Sequence, residues 1–280
     1  VDVEEWFQVE NLRPLFPPYQ WSVQESRVEN NTYRLLDLFD SFGFPVKATF
    51  FVLGWIAEKH PRLIKEIKQR GHEIASHGCG HMLLNTLDRN SLHEDLVKSK
   101  TILEKITGES VTGYRAPSFS IDDHSLALIS QSGYNYDSSY NSFDKHGRYG
   151  RISTNGHQKN GISITLESNL HELPISNLNI AGQNIPWGGG GYFRLLPPLL
   201  FNFGVSHYLK QNGAYLFYMH PWEIDPEQPK VKTTNTWRHY LNLNKTYIRL
   251  KKMITRFRHC DFITCSQYLS EISVAFKQPR

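Results

Sequence analysis

Along almost the whole chain, short apolar runs alternate with longer stretches in which apolar residues recur every three or four positions. Residues 46–53 (VKATFFVL) are rich in β-branched and aromatic side chains and predict a buried strand. A helix follows, with Pro61 near its first turn, Leu63, Ile64 and Ile67 on one face, and Gly71 as its stop. Residues 73–76 predict the next strand, and 91–107 a helix with Leu92, Leu96, Leu103 and Ile106 apolar and Gly108 at its end. The same alternation predicts strands at 111–114, 134–136, 173–175, 215–219 and 262–264, and helices at 122–132, 195–211, 246–258 and 266–276. This is an α/β pattern with a parallel sheet, and seven or eight strands predict a barrel. Three irregular stretches, 6–30, 141–170 and 181–192, are expected to be active-site loops. No repeat or Gly/Ser-rich linker divides the sequence, so one domain is expected over 1–280.

Composition narrows the class. A chain of 280 residues with 39% hydrophobic and 21% charged residues is globular, which excludes disordered and collagen-like proteins. The longest apolar run, 48–57, is interrupted by Thr49 and Gly54 and falls well short of the roughly 20 residues of a membrane helix. No signal-like segment opens the sequence as it stands. The net charge of +4 hides an asymmetry: residues 230–280 hold 11 Lys/Arg against 2 Asp/Glu. Such a basic region suits a solvated helix face or peripheral contact with anionic lipid, phosphate or acidic polysaccharide. Cys79, Cys260 and Cys265 cannot all pair and show no C-x-x-C spacing, which favours a reducing, cytoplasmic setting, with periplasmic or membrane-peripheral locations left open.

The polar residues that end the predicted strands carry the candidate chemistry. Asp2 and Glu4 are two apart on a strand and share a face. His77 and His81 follow the third strand, Arg115 the fourth, Asp137 the fifth and His220 a late one. In a parallel α/β barrel these carboxyl ends form the active-site face. The H-x-x-x-H spacing is expected to place both imidazoles on one side of a helical turn. With Glu4 they make a two-histidine, one-carboxylate set that leaves positions open for water and substrate. Cys79 lies mid-turn and is not counted among the ligands.

On these residues the chain resembles the polysaccharide deacetylases of the carbohydrate esterase family 4 type. The resemblance rests on D-V-E-E at 2–5, A-T-F-F-V-L-G at 48–54, H-G-C-G-H at 77–81, R-A-P at 115–117 and L-F-Y-M-H-P at 216–221. It implies a distorted (β/α)7-type barrel with a motif-bearing core over 1–225, completed by a basic segment over 226–280. It also implies hydrolysis of N-acetyl groups on amino sugars of a polymer or oligosaccharide. Carried over residue by residue, Asp2 is the base and Arg115 orients it. Glu4, His77 and His81 hold a divalent metal, Zn²⁺ by preference, and His220 is the general acid on the opposite rim. Two departures stand out. Glutamate occupies the usual aspartate ligand position, with Glu5 as an alternative on the other strand face. The fourth motif is reduced to Y-D-S-S at 136–139. The runs H-P-W-E-I-D-P (220–226) and R-H-Y (238–240) resemble a subgroup found beside bacterial exopolysaccharide synthesis systems.

Chemistry supports these implied roles. An amide is a poor electrophile, so its hydrolysis needs activated water, a polarised carbonyl and a proton for the amine. An acid working at neutral pH needs a carboxylate neighbour, and Asp137 is the expected partner of His220. Trp187 and Tyr192 in I-P-W-G-G-G-G-Y, Trp222, Pro117 and Trp6 are the candidates for sugar contact. Arg238, His239 and Tyr240 are expected to bind polymer or to pin the C-terminal segment. Two rivals follow: a deformylase or cyclic amidase acting on a small or lipid-linked metabolite, and an inactive sugar-binding module. The second is disfavoured because a binder needs neither base nor acid. Nucleic-acid recognition lacks a zinc finger, helix-turn-helix or aromatic RNA motif.

Overall fold

The computed structural model describes residues 1–277 other than 144, 167–168 and 232–236. Those positions, in the expected 141–170 loop and 226–280 segment, lie outside the described residues together with 278–280. The apolar runs become short strands: β1 (Asp2–Val3), β2 (Thr49–Val52), β3 (Glu73–Ser76), β4 (Gly113–Tyr114), β5 (Tyr136–Asp137), β6 (Gln158–Asn160), β7 (Ser163–Thr165) and β8 (His171–Glu172). They form one sheet in the order β1-β2-β3-β4-β5-β8-β7-β6. Every pairing from β1 to β8 is parallel, and β7 and β6 join antiparallel. Asp2 lies opposite Phe51, and Phe51 opposite Ala75.

Strand alternation divides the apolar residues between two layers. Phe51, Ala75, Tyr136 and Leu173 pack together inside the barrel. Val3, Phe50 and Val52 instead join the main core with side chains of the helices α1 (Val28–Asp40), α2 (Gly54–Lys59), α3 (Pro61–Gln69), α4 (Arg89–Thr107) and α5 (Asp123–Gln131). Helix α4 shows how local sequence sets its ends. The Asp88 carboxylate accepts from the Asn90 and Ser91 amides, and Gly108 closes the helix at φ 70°.

Beyond β8 come the hairpin β9 (Asn177–Ile180) and β10 (Gln183–Pro186), then α6 (Gly190–Leu195), α7 (Pro198–Asn212), α8 (Trp237–Tyr240), α9 (Leu243–Arg256) and α10 (Cys265–Lys277). The helix expected over 195–211 is broken because Pro197 and Pro198 cannot continue α6, and Pro198 starts α7 instead. The expected strands at 215–219 and 262–264 reduce to single bridges, Tyr218 with Gly189 and Phe262 with Val46. At the first, Gly189 lies so close to the Tyr218 carbonyl that a Cβ there would sit 2.0 Å from its oxygen. The ring is closed by separate bonds, Asp2 N to Met219 O at 2.9 Å and Leu216 N to Ser176 Oγ at 2.8 Å.

Trp187, expected at the sugar, lies in the core. Its indole donates to the Phe201 carbonyl at 2.8 Å and its ring stacks on Phe201 at 5.9 Å. The close packing of Gly204 on this indole explains the burial. Trp187→Ala is therefore expected to cost about 3–5 kcal/mol in a denaturant titration. No helix among the described residues is long and apolar enough to cross a membrane.

Candidate active site

Asp2 and Glu4 point into the barrel mouth while Val3 packs outward, as two-residue alternation requires. Glu5 turns away: its carboxylate accepts from the Arg27 amide at 3.0 and 3.1 Å and from the Ser26 hydroxyl. Tied there, it is not placed beside the histidines, and Glu4 is.

His77 and His81 follow β3 on an irregular loop, not on the expected helical turn. Asp95 of α4 holds that loop by accepting from the Cys79 amide at 2.9 Å and the Gly80 amide at 3.3 Å. Gly78 (φ 74°) leaves no room for a Cβ, which would meet Asp95 Oδ2 at 2.7 Å, and His81 itself has φ 52°. A non-glycine residue at positive φ costs on the order of 1 kcal/mol or more, and such strain gathers at functional sites. His77 Nδ1 donates to the Arg115 carbonyl at 2.7 Å, which leaves the Nε2 lone pair facing Glu4.

The donor atoms of Glu4, His77 and His81 lie within 4.8 Å of one another, and all three residues are buried. Glu4 Oε2 is 2.7 Å from His81 Nε2 and 4.0 Å from His77 Nε2, without a conventional hydrogen bond. The opposite carboxylate oxygen accepts from the Trp222 indole at 3.1 Å, which fixes its orientation. A convergent, buried set of two imidazoles and one oriented carboxylate fits a divalent cation of the zinc type.

Arg115 holds Asp2. Its Nη1 donates to Asp2 Oδ1 at 2.7 Å, and Nε and Nη2 donate to the Ser138 carbonyl and hydroxyl, each at 2.8 Å. Burial favours the neutral acid at Asp2, but Arg115 and His77 outweigh it and hold the carboxyl well below its usual range.

His220 stands beside Asp2, not across from it: its Nε2 is 3.8 Å from Asp2 Oδ2 and 3.6 Å from Glu4 Oε1. The carboxylate on its Nδ1 is Glu223 at 2.8 Å. Asp137 does not reach it; Asp137 accepts from the Ser139 hydroxyl and amide and lies beside Glu172 at the neighbouring strand end. Burial opposes the imidazolium, yet Glu4, Glu223 and Asp2 outweigh it and raise the His220 pKa to about 9. Glu223 is in turn paired with Arg194 Nε at 2.7 Å. Arg194 also donates to the carbonyls of Arg238, His239 and Leu241. Trp222 is sandwiched between His220 (5.1 Å) and His239 (4.3 Å). The 238–240 segment thus pins the surroundings of His220.

The cleft over this cluster has a volume of about 130 Å³. Asp2, Glu4, His77, His81, His220 and Trp222 line it. Its outer wall is Phe119, Tyr149 and Tyr218, with Glu10, Asn11 and Arg148 at the rim. The Phe119 ring meets Tyr149 and Tyr218 edge-on at 5.4 and 5.0 Å, and Tyr149 stacks on His146 at 4.0 Å. Pro117 and Tyr192 do not line the cleft; Pro117 is buried at the start of the turn that presents Ser118 and Phe119 to it. Trp6 is buried, its indole donating to the Glu25 carbonyl. Spacing could have revealed Glu223, since a residue three after His220 on a short turn reaches back to it. Phe119 and Tyr149 of that wall come from the 117–119 and 141–150 loops, which no periodicity marks, and Tyr218 from the 215–219 segment.

The fold and donor set define a barrel with a histidine–carboxylate centre at the carboxyl ends of its strands. Residues 22–136 match the polysaccharide deacetylase family, and residues 138–270 match a domain of unknown function, DUF3473. A Gibberella zeae peptidoglycan deacetylase-like protein, FGM2, is 36% identical over 111 residues, 40% of this chain and 33% of that one. A Helicobacter pylori peptidoglycan deacetylase is 28% identical over 168 residues, 60% of this chain and 55% of its own length. The chain therefore spans from a third to just over half of these relatives. In structure, a Mycobacterium smegmatis protein described as a polysaccharide deacetylase matches the whole chain and 90% of its own, at TM-score 0.66 and 22% identity, a likeness of fold. Residues 22–136 are thus similar to the polysaccharide deacetylase family, and these relatives match over part of the chain.

Proposed function

We propose that the protein is an N-deacetylase of amino-sugar residues in a glycan. The observation that carries this reading is the meeting, in one cleft, of a carboxylate held ionised by Arg115, an imidazole hydrogen-bonded to Glu223, and the Glu4–His77–His81 donor set. A divalent cation of the zinc type, held by those three residues, would supply Lewis acidity toward water and the acyl oxygen. Asp2 Oδ2, the oxygen not bonded to Arg115, takes the proton that water loses as its oxygen adds to the carbonyl carbon. His220 Nε2 delivers a proton to the amide nitrogen as the C–N bond breaks, giving acetate and the free amine. The Glu223 contact orients the imidazole so that this nitrogen faces the cleft. Phe119, Tyr149 and Tyr218 offer apolar faces to a sugar ring, the part first assigned to Trp187 and Tyr192.

The resemblance of 220–240 supports a bacterial exopolysaccharide as the glycan, acted on in the cytoplasm or at its membrane. Acetate release from N-acetylglucosamine oligomers and from isolated exopolysaccharide tests the reading. Release of formate from an N-formyl sugar, or opening of a cyclic amide, without acetate release would replace it by the small-amide reading. Glycan binding with no product would leave a sugar-binding module. Dialysis against a zinc chelator is expected to abolish acetate release and added Zn²⁺ to restore it. His81→Ala is expected to bind less than about a tenth of the wild-type metal by elemental analysis. Full metal content in that variant would remove His81 from the donor set.

A further inference from the structure

The start of α7 exposes an apolar knuckle. Leu199 is 82% exposed, Phe203 70%, Leu195 54% and Leu200 48%, with Pro197 and Pro198 also on the surface. Leu199 and Phe203 are four apart and share one helix face, while Phe201, Gly204 and Val205 bury the other. Isolated exposed leucines need no explanation, but a contiguous cluster marks a contact surface.

The segments that carry the knuckle and α9 are free of acidic residues. No Asp or Glu occurs from 173 to 222 or from 228 to 260, and the second stretch carries nine Lys/Arg. Helix α9 is locked to the knuckle: Arg249 Nη1 donates to the Arg194 carbonyl at 2.6 Å and to the Phe193 carbonyl at 3.3 Å, on the residues leading into Leu195. Lys245 and Lys252 lie four before and three after Arg249, within roughly 60° of it around the helix axis. Both are exposed, as is Ile248 between them. Long cationic side chains therefore flank the base of an apolar tip.

We infer that this face seats peripherally on an anionic lipid bilayer, the knuckle entering the headgroup boundary and the lysines pairing with lipid phosphates. A second copy of the chain would bring the same cations against each other. An acidic glycan would satisfy the lysines but offers hydroxyls to four aliphatic and aromatic side chains. Only a surface that is anionic outside and apolar beneath matches both parts. The inference does not depend on the hydrolytic reading.

The test is co-sedimentation of the full chain with vesicles of phosphatidylglycerol and phosphatidylcholine, against phosphatidylcholine alone. Wild type is expected to pellet with the anionic vesicles at low salt and to be released at high salt. L199S/F203S and K245E/K252E are each expected to weaken binding about tenfold or more, while the circular dichroism spectrum stays that of the wild type. Failure of wild type to pellet with anionic vesicles would overturn the proposal, as would variants that pellet like wild type. A dimer in sedimentation velocity that L199S/F203S dissolves, without vesicle binding, would assign the face to a second copy instead.

Discussion

Asp2→Asn is expected to keep wild-type zinc content and to lower kcat by about 10²–10⁴-fold, the contribution of a positioned base. Asparagine preserves an oxygen for Arg115 Nη1, but it cannot accept a proton from water. It also leaves the guanidinium facing a neutral group in a buried site. Arg115 keeps its two bonds to Ser138, so the loss of stability is expected to stay below the roughly 3–5 kcal/mol of a fully orphaned buried charge. Kinetics measured well below the melting temperature separate the two effects. Glu4→Gln is the reciprocal test. It keeps an acceptor for the Trp222 indole and loses the anionic ligand, so metal content is expected to fall first and activity with it. Retained metal in Glu4→Gln together with lost metal in Asp2→Asn would exchange the two assignments.

His220→Ala is expected to reduce turnover by about 10²–10⁴-fold with metal content unchanged, because the imidazole is outside the donor set. The pH profile gives the sharper measurement. The folded-state pKa is raised, so the proton needed for the leaving amine is present at neutral pH and is lost on the alkaline side. The alkaline limb of kcat/KM is expected to follow that loss. Glu223→Gln removes one of the charges that raise the pKa and keeps a hydrogen-bond acceptor, so the limb is expected to move to lower pH. Asp137→Asn is expected to leave the limb in place. A limb that stays put in Glu223→Gln and moves in Asp137→Asn would restore the partner that strand position suggested.

The contrast between those two carboxylates shows what the sequence discloses. Strand periodicity placed Asp2, Glu4, His77, His81, Arg115 and His220 at the carboxyl ends of neighbouring strands, and the structure brings them together there. The same rule selected Asp137, because it too ends a strand. Which end faces which depends on the sheet order, and β5 is followed by β8, so Asp137 meets Glu172. Trp187 was marked by a glycine run that resembles a ligand loop. Those glycines serve backbone packing instead, with Gly189 against Tyr218. Helix α1 went unseen because Asn31 and Thr32 break its apolar stripe. Both are buried, Asn31 bonding to Asp225 and Thr32 back to the Val28 carbonyl. Burial of polar residues that satisfy each other across a distance of 194 positions leaves no periodic trace.

The way the ring of strands closes bears on motion. Asp2 belongs to the continuous parallel ladder, and Glu4 and the histidine loop follow directly from its strands β1 and β3. Among the described residues, Met219 returns to β1 through a single backbone bond from the Asp2 amide, with the Trp222 indole bond to Glu4 as a side-chain tie beyond it. Amide exchange is therefore expected to be faster at this seam than in β2 and β3. The proton donor and acceptor sit on opposite sides of it. Breathing there changes the gap between His220 and Asp2 and, through the Trp222 indole, the tilt of the Glu4 carboxylate. Turnover and metal affinity are then expected to respond together to temperature and to substitutions along 215–219.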